Sequence, residues 1–430
     1  MSIEQMPRLL SEPHAGVPDV ISTHEAFERM CERFSTGASS LAADAERASG
    51  FRYGHEDWLV QFKREGCGIA LVDPIALADD GDYWADFNDA VGDTTWIIHD
   101  SLQDLPGFTE LGLEPKQLFD SELAARMLGL HHVGLAAVTE HYLDLTLAKE
   151  HSAADWSYRP LPRDWRNYAA LDVELLIPLE RKMRDDLDNQ GKTGWAEEEF
   201  AYLLKKGSRN RHNHPQPWRR VSHITSLHND RWGLAIVRAL WTERDRLARL
   251  YDIAPSLLLS DASIIEAARQ KPHNAKEFRA IRSINQRVRM HTGGEQDKMF
   301  ERYAPIQRSI KPSHWKDIIQ QALELPSAEL PVPPVSPVVS EENKAPHSMK
   351  FWREKHPQRY AGLMAAKSAI SQISQDTKTP MDVILKPQYL RNLCWTDEPE
   401  KRDVAEFLAD QGARNWQIDL VDESISRAIM

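Results

Sequence analysis

The tripeptide Asp44-Ala45-Glu46 constrains this chain more than any other stretch. Successive side chains of a β-strand alternate between its faces, so residues i and i+2 share one face. On a strand, Asp44 and Glu46 therefore aim two carboxylates at one spot, which gains nothing unless a cation sits there. Two more acids fit the same demand. Asp104 follows a run at 94–99 that reads as a buried strand, which puts it at the start of the next helix. Tyr168 and Asp172 stand four apart in a segment of strong helical period, hence on one side of the helix and one turn apart. A DxE tripeptide, a YxxxD pair and an aspartate before a helix are each common alone. Their order and context make Asp44, Glu46, Asp104 and Asp172 a candidate site for two divalent cations, Mg²⁺ or Mn²⁺, with Tyr168 beside it.

The rest of the chain sets the frame for such a site. With 430 residues it is long enough for two or three domains. No apolar run approaches the roughly 20 residues of a membrane-spanning helix, so no membrane partner is expected. Residues 1–16 lack a basic start followed by an apolar run, so no secretory signal is expected. Cys31, Cys67 and Cys394 are scattered without a CxxC, as reduced thiols of a cytoplasmic protein would be. The formal charge of −12 argues against a general electrostatic binder of nucleic acid. It does not exclude an enzyme acting on one, because a catalytic acid cluster itself adds negative charge.

Read in order, residues 1–37 form an irregular arm and a helix over 23–34. From 38 to 205, strand patterns around 39–46, 58–62, 68–73 and 94–99 interleave with a helix over 83–91, an α/β layered arrangement. Asp120 suits the N-cap of the helix that follows it, and the cap outweighs a ligand role. A helix over 163–184 carries Leu171, Leu175, Leu179 and Met183 on its buried side. Residues 206–228 are basic and aromatic: either a phosphate-binding strip with Trp218 for base stacking, or a linker whose tryptophan packs on a neighbour. Residues 229–312 read as helical, with Asp261 capping one helix. A proline-rich spacer covers 325–347, and helices resume over 348–430.

Two divalent cations about 3.5–4 Å apart hydrolyse phosphodiesters by lowering the pKa of an attacking water and stabilising the departing 3′ oxygen. A phenol at Tyr168, one turn from a ligand at Asp172, suits the orientation of that water. The chain resembles ribonuclease D and the wider DEDD 3′–5′ exonucleases, in their tyrosine-bearing subclass. The resemblance rests on Asp44-Ala-Glu46 with Arg47, Trp58-Leu-Val-Gln61, Leu71-Val-Asp73-Pro74, Ile98-His99-Asp-Ser-Leu-Gln-Asp104-Leu105 and Phe119-Asp120-Ser-Glu-Leu-Ala-Ala. It continues through the run from Lys149 to Leu161, with Asp155-Trp156 and Arg159-Pro160-Leu161, and Tyr168-Ala-Ala-Leu-Asp172-Val-Glu. These motifs span roughly 38–205; residues 230–310 resemble an HRDC domain, and the C-terminal helices a second, weaker one.

The resemblance implies an RNase H-like mixed-sheet exonuclease domain followed by one or two helical HRDC-type domains. It implies 3′–5′ exoribonuclease activity releasing nucleoside 5′-monophosphates, on tRNA precursors or other structured RNA with a 3′ tail, with no stable protein partner. Asp44, Glu46, Asp104 and Asp172 would be the metal ligands and Tyr168 would hold the nucleophilic water. Threonine commonly follows the first aspartate in these enzymes; Ala45 keeps the strand geometry but loses a hydroxyl near the nucleotide. Ala45, His99, Lys149, Trp156 and Arg159 are candidate substrate contacts, the last three equally readable as loop anchors. His131, His132, His212 and His214 lack partners at structural-zinc spacing and read as surface histidines. The alternatives are a 3′–5′ exonuclease of the same chemistry on DNA and a non-catalytic HRDC protein that binds nucleic acid.

Overall fold

The computed structural model describes residues 7–37, 40–78, 83–147, 154–208, 215–285, 300–333 and 345–430. Its strands are β1 (Arg8–Leu10), β2 (Val20–Ile21), β3 (Leu41–Arg47), β4 (Asp57–Arg64), β5 (Gly68–Val72), β6 (Thr95–Ile98), β7 (Gln117–Asp120) and β8 (Leu145–Leu147). Part of this sheet follows local preference, since β-branched and aromatic residues make up all of β6 and recur in β4 and β5. The exception is β3, Leu-Ala-Ala-Asp-Ala-Glu-Arg, whose alanines and acids are poor strand formers. It is held from both sides instead, antiparallel to β4 and parallel to β6. The six-stranded sheet runs β2-β5-β4-β3-β6-β7, so the strand with the two acids lies inside it.

Helices α1 (His24–Ser35), α2 (Tyr83–Val91), α3 (Leu105–Leu111), α4 (Ser121–Met127), α5 (Leu135–Leu143), α6 (Arg163–Glu174), α7 (Leu176–Asn189) and α8 (Thr193–Gly207) complete the α/β region. The sequence placed the N-terminal segment apart as an arm. In the structure β1 pairs with β8, β2 pairs with β5, and Phe27, Met30 and Phe34 of α1 enter the same core as β3 and β6. These strands of two and three residues are too short to show a period. Cys31, Cys67 and Cys394 are buried and unpaired. No helix among the described residues is long and apolar enough to cross a membrane.

The helix expected over 163–184 is two helices, broken at Leu175. Pro178 has no N–H to give the Glu174 carbonyl, which lies four residues back. Lys63 on β4 takes up that carbonyl instead, its Nζ 2.6 Å from the oxygen and 2.7 Å from the Glu174 carboxylate. The four apolar residues read as one stripe are nevertheless all buried.

Two helical regions follow. The first packs α9 (Arg231–Tyr251) against the helices Asp261–Gln270 and Pro312–Leu323 around its own core. Asp261 is not the cap: Ser260 accepts from the Ser263 N–H, and Asp261 pairs with Arg244 at 2.7 Å. The second region, with the helices Pro357–Thr377 and Asn415–Ile429, has a third core. It docks on the α/β region through Arg414 on Glu199 and a stacked Trp195–Trp416 pair 4.9 Å apart.

Phe62 sits at the centre of the first core, fully buried, with the Phe87 and Trp96 rings 4.4 and 5.7 Å away. Phe62→Ala is expected to cost about 3–5 kcal/mol of stability. Urea unfolding of the full chain measures it, and a loss below about 1 kcal/mol would contradict this packing account.

Candidate active site

Four elements converge on a cavity of about 350 Å³ lined by Asp44, Ala45, Glu46, Arg47, His99, Gln103, Asp104, Leu135, Tyr168, Asp172 and Leu176. The pleat of β3 gives Asp44 and Glu46 the shared face that their spacing required. Helix α6 brings Tyr168 and Asp172 to the same side, with the phenol hydrogen-bonded to the Asp172 carboxylate. Carboxylate oxygens of Asp44, Glu46 and Asp172 all lie within 4.8 Å of one another. Asp104 lines the same cavity, but its Oδ1 is held by Arg47 Nη2 at 2.7 Å.

Two aspartates at two helix starts have opposite fates. Asp120 caps α4: its Oδ1 accepts from the Leu123 N–H at 3.0 Å, and its Oδ2 accepts from the Ser101 N–H and hydroxyl. Asp104 occupies the N-cap position of α3 but accepts no capping hydrogen bond with its side chain. Its backbone is already in the helical region, so the carboxylate is free to turn toward the cavity.

Burial and crowding govern the protonation of this cluster. Burial is the largest cause raising the pKa of both Asp44 and Glu46 well above the carboxylate range. The charges of Asp104 and Asp172 add to it at Asp44; those of Asp44, Asp172 and Asp104 add to it at Glu46. Burial likewise lifts Asp172 to about 7, against the Tyr168 hydrogen bond, and Asp104 to about 6, against Arg47. Tyr168 is pushed further up, first by burial and then by Asp172, Glu46 and Asp44, and stays a protonated phenol. Carboxylate oxygens crowded in a buried pocket suit hard divalent cations, and the donor set is all oxygen.

Arg47 is the residue whose role the sequence did not disclose. Alternation along β3 puts residue 47 on the face away from Asp44 and Glu46. A register irregularity lies opposite this residue, where Asp57 and Trp58 of β4 face the end of β3. The guanidinium bridges Asp104 and the buried Asp57, with Nε 2.8 Å from Asp57 Oδ1. A basic residue directly after the DxE was the one available signal.

The candidate substrate contacts divide. Ala45 and His99 line the cavity; His99 Nδ1 lies 2.9 Å from the Ser121 hydroxyl, and burial lowers its pKa. Trp156 and Arg159 are not among the residues that line it. Trp156 is 1% exposed, packed on Trp165 and near Tyr168. Arg159 is used up by Asp73 and by the carbonyls of Trp58, Trp156 and Tyr158. Lys149, His212 and His214 lie outside the described residues. His131 and His132 are exposed, and Trp218 is buried in the first helical region, as a linker tryptophan packed on its neighbour would be.

Three family models match the chain in succession: a 3′–5′ exonuclease domain over residues 18–188, an HRDC domain over 233–295, and a 3′ to 5′ exonuclease C-terminal domain over 345–429. The C-terminal helices, read from the sequence as a weak second HRDC domain, thus match a model of their own. Ribonuclease D of Shewanella sp. (strain ANA-3) is 29% identical over 230 residues, 53% of this chain and 58% of that protein. Ribonuclease D of Cronobacter turicensis is 27% identical over 278 residues, 63% of this chain and 72% of that protein. The chain belongs to the ribonuclease D family. A crystal structure of a protein from Bifidobacterium adolescentis matches with a TM-score of 0.91 and 66% identity, covering 98% of this chain and 99% of that one. Escherichia coli RNase D shares the fold at a TM-score of 0.61 and 21% identity, covering 96% of this chain and 98% of that one. The first domain is therefore a 3′–5′ exonuclease domain, a metal-dependent class, and the acid cluster lies within it.

The raised carboxylate pKa values give stability a pH dependence of definite sign. Between the unfolded value near 4 and the folded values of about 6 and 7, the folded chain binds more protons than the unfolded one. Stability from this cluster is thus fully present below about pH 4 and is lost as pH rises through 6 to 7. In EDTA the melting temperature is expected to fall from pH 5 to pH 8, and Mn²⁺ at pH 8 to restore it. A metal-free melting temperature that rises over this range would contradict the assigned protonation.

Proposed function

We propose that this chain is a 3′–5′ exoribonuclease that removes nucleotides one at a time from RNA 3′ ends as nucleoside 5′-monophosphates. Its substrates would be tRNA precursors or other structured RNAs with a 3′ tail, met in the cytoplasm. The observation that carries the reading is three acidic side chains with oxygens within 4.8 Å of one another, with the Tyr168 phenol against one of them. The name shared by the relatives supports RNA over DNA, as does the description of the Escherichia coli protein as an exoribonuclease involved in structured RNA processing.

Asp44, Glu46, Asp104 and Asp172 would hold two divalent ions, Mg²⁺ or Mn²⁺. When bound, these supply an acidified attacking water and charge stabilisation at the departing 3′ oxygen. The chain's own residues do the remainder. Tyr168 keeps its proton, so it does not act as a base; its O–H donates to Asp172, and its hydroxyl oxygen would accept a hydrogen bond from a water and so orient it. Arg47 holds Asp104 in the cavity while its second contact, to Asp57, fixes the guanidinium. His99, lowered in pKa by burial, forms part of the wall as a neutral ring. Ala45 leaves the wall without a side-chain hydroxyl at the position after the first aspartate. We assign the exonuclease domain to residues 38–205 together with the N-terminal β1, β2 and α1, which share its sheets and core, the HRDC domain to 229–312 and the C-terminal helical domain to 348–430.

Asp172→Asn is expected to abolish release of nucleotides from a 3′-labelled RNA while RNA binding and the melting transition persist. Tyr168→Phe is expected to slow release by roughly 10–100-fold, the scale for removing a group that orients a ligand. Wild-type turnover by Asp172→Asn would remove the site assignment; equal rates for Tyr168→Phe and wild type across pH would remove the water-orienting role.

Substrate class is tested separately, with single-stranded RNA and DNA of one sequence under equal Mg²⁺ or Mn²⁺. RNA should be degraded faster. A preference for DNA would leave the chemistry standing and overturn the proposed substrate.

A further inference from the structure

Among the described residues, the first helical region holds two segments of the α/β region that flank the candidate site. One is the turn just after β3, where Ala48 follows Arg47. Phe51 on this turn is 3% exposed and belongs to the helical region's core, stacked on Phe300 with centroids 4.6 Å apart. Its carbonyl accepts from the Ala254 N–H at 2.8 Å. The other segment is the stretch leading into α6. Asp155 there is 1% exposed, and its Oδ2 accepts from the Tyr303 hydroxyl at 2.8 Å. The next residue, Trp156, packs beside Tyr168 with ring centroids 6.2 Å apart.

Tyr303 joins these two segments. Its hydroxyl, besides donating to Asp155, interacts with the Arg52 guanidinium, and its ring lies 6.1 Å from that of Phe51. One buried side chain of the helical region thus ties the exit of the strand carrying Asp44 and Glu46 to the entry of the helix carrying Tyr168 and Asp172. A hydrogen bond to a buried carboxylate is worth more than an exposed one; Ser157 serves the other oxygen of Asp155 and Arg302 stands 3.6 Å from Oδ2, so the Tyr303 hydroxyl is the short contact that holds Oδ2. Resting on the exoribonuclease reading above, we infer that Tyr303 is a positioning residue for that reaction. It acts through Asp155 and Trp156 to hold Tyr168 at its working distance from the acids, so that docking of the helical region sets the rate of the hydrolytic step.

The test uses the full chain and a 3′-labelled single-stranded RNA. Tyr303→Phe keeps the ring and removes only the hydroxyl. It should lower kcat about tenfold, the scale of one lost charge-assisted hydrogen bond, and leave KM within about twofold. Asp155→Asn should reproduce this loss from the other side of the contact. In a Tyr168→Phe background, Tyr303→Phe should add little, because the residue it positions has lost its hydroxyl. A wild-type kcat for Tyr303→Phe, a rise in KM alone, or two losses that multiply fully would each overturn the inference.

Hydrogen exchange without substrate supplies a readout independent of activity. In both Tyr303→Phe and Asp155→Asn, backbone protection should fall over residues 154–168 and hold in the β3–β4 pair. Unchanged protection over 154–168 in both variants would overturn the inference as well. If wild-type protein released no nucleotide from RNA, the exoribonuclease reading would fail, while exchange would still decide whether Tyr303 orders the segment that carries Tyr168.

Discussion

The structure around the candidate site answers one unfavourable interaction: carboxylates gathered in a buried cavity repel each other. At 4.8 Å and an effective dielectric of about 20, each ionised pair costs roughly 3 kcal/mol. Several such pairs rival the whole stability of a typical domain, about 5–15 kcal/mol. The acids therefore have to be held by elements that derive their stability elsewhere. Asp44 and Glu46 sit on a strand paired on both edges, and Asp172 on a helix backed by Ala169, Ala170 and Trp165 in a buried apolar layer. Arg47 offsets part of the charge at Asp104. Protonation offsets more, which is why the upward pKa shifts and the demand for a cation are two expressions of one fact.

This division of labour explains what the sequence disclosed. Asp44 and Glu46 were legible because strand alternation is a local rule, and Tyr168 and Asp172 because helical spacing is one. Asp104 was legible by order along the chain. Arg47 was not, because its two partners, Asp57 and Asp104, come from other elements 10 and 57 residues along the chain. Trp156 and Arg159 carry residue types that suit a nucleotide contact and a loop anchor equally, so type alone left both readings open. What decides their role is a tertiary partner, Asp73 for Arg159 and Trp165 for Trp156, and partners 86 and 9 residues away leave no local trace.

The fold was legible to the same limit. Helices α1 and α2 and strands β4 to β6 appear within a residue or two of where periodicity put them. The strands missed, β1, β2, β7 and β8, have two to four residues, at most two periods of the pleat. The break at Leu175 was written in Pro178, yet Leu171, Leu175, Leu179 and Met183 keep a helical stripe across it. The break spans one residue, Leu175, and Lys63 satisfies the Glu174 carbonyl freed there.

Boundaries drawn along the chain also hide how the cores interlock. Phe51 lies between β3 and β4, yet it is buried in the core of the first helical region with Trp218 and α9. Val383 and Trp416 lie in the C-terminal helices and are buried in the core of the exonuclease domain. An apolar side chain inserted into another domain's core couples the two folds, since withdrawing it exposes surface on both sides. The inserted residues also lie in informative places. Trp416 stacks on α8, away from the acids, and its indole N–H meets the Glu199 carboxylate already held by Arg414. Phe51 enters the helical core four residues after Arg47. The C-terminal helices thus brace the exonuclease domain from outside its site, whereas the first helical region grips the strand that carries Asp44 and Glu46.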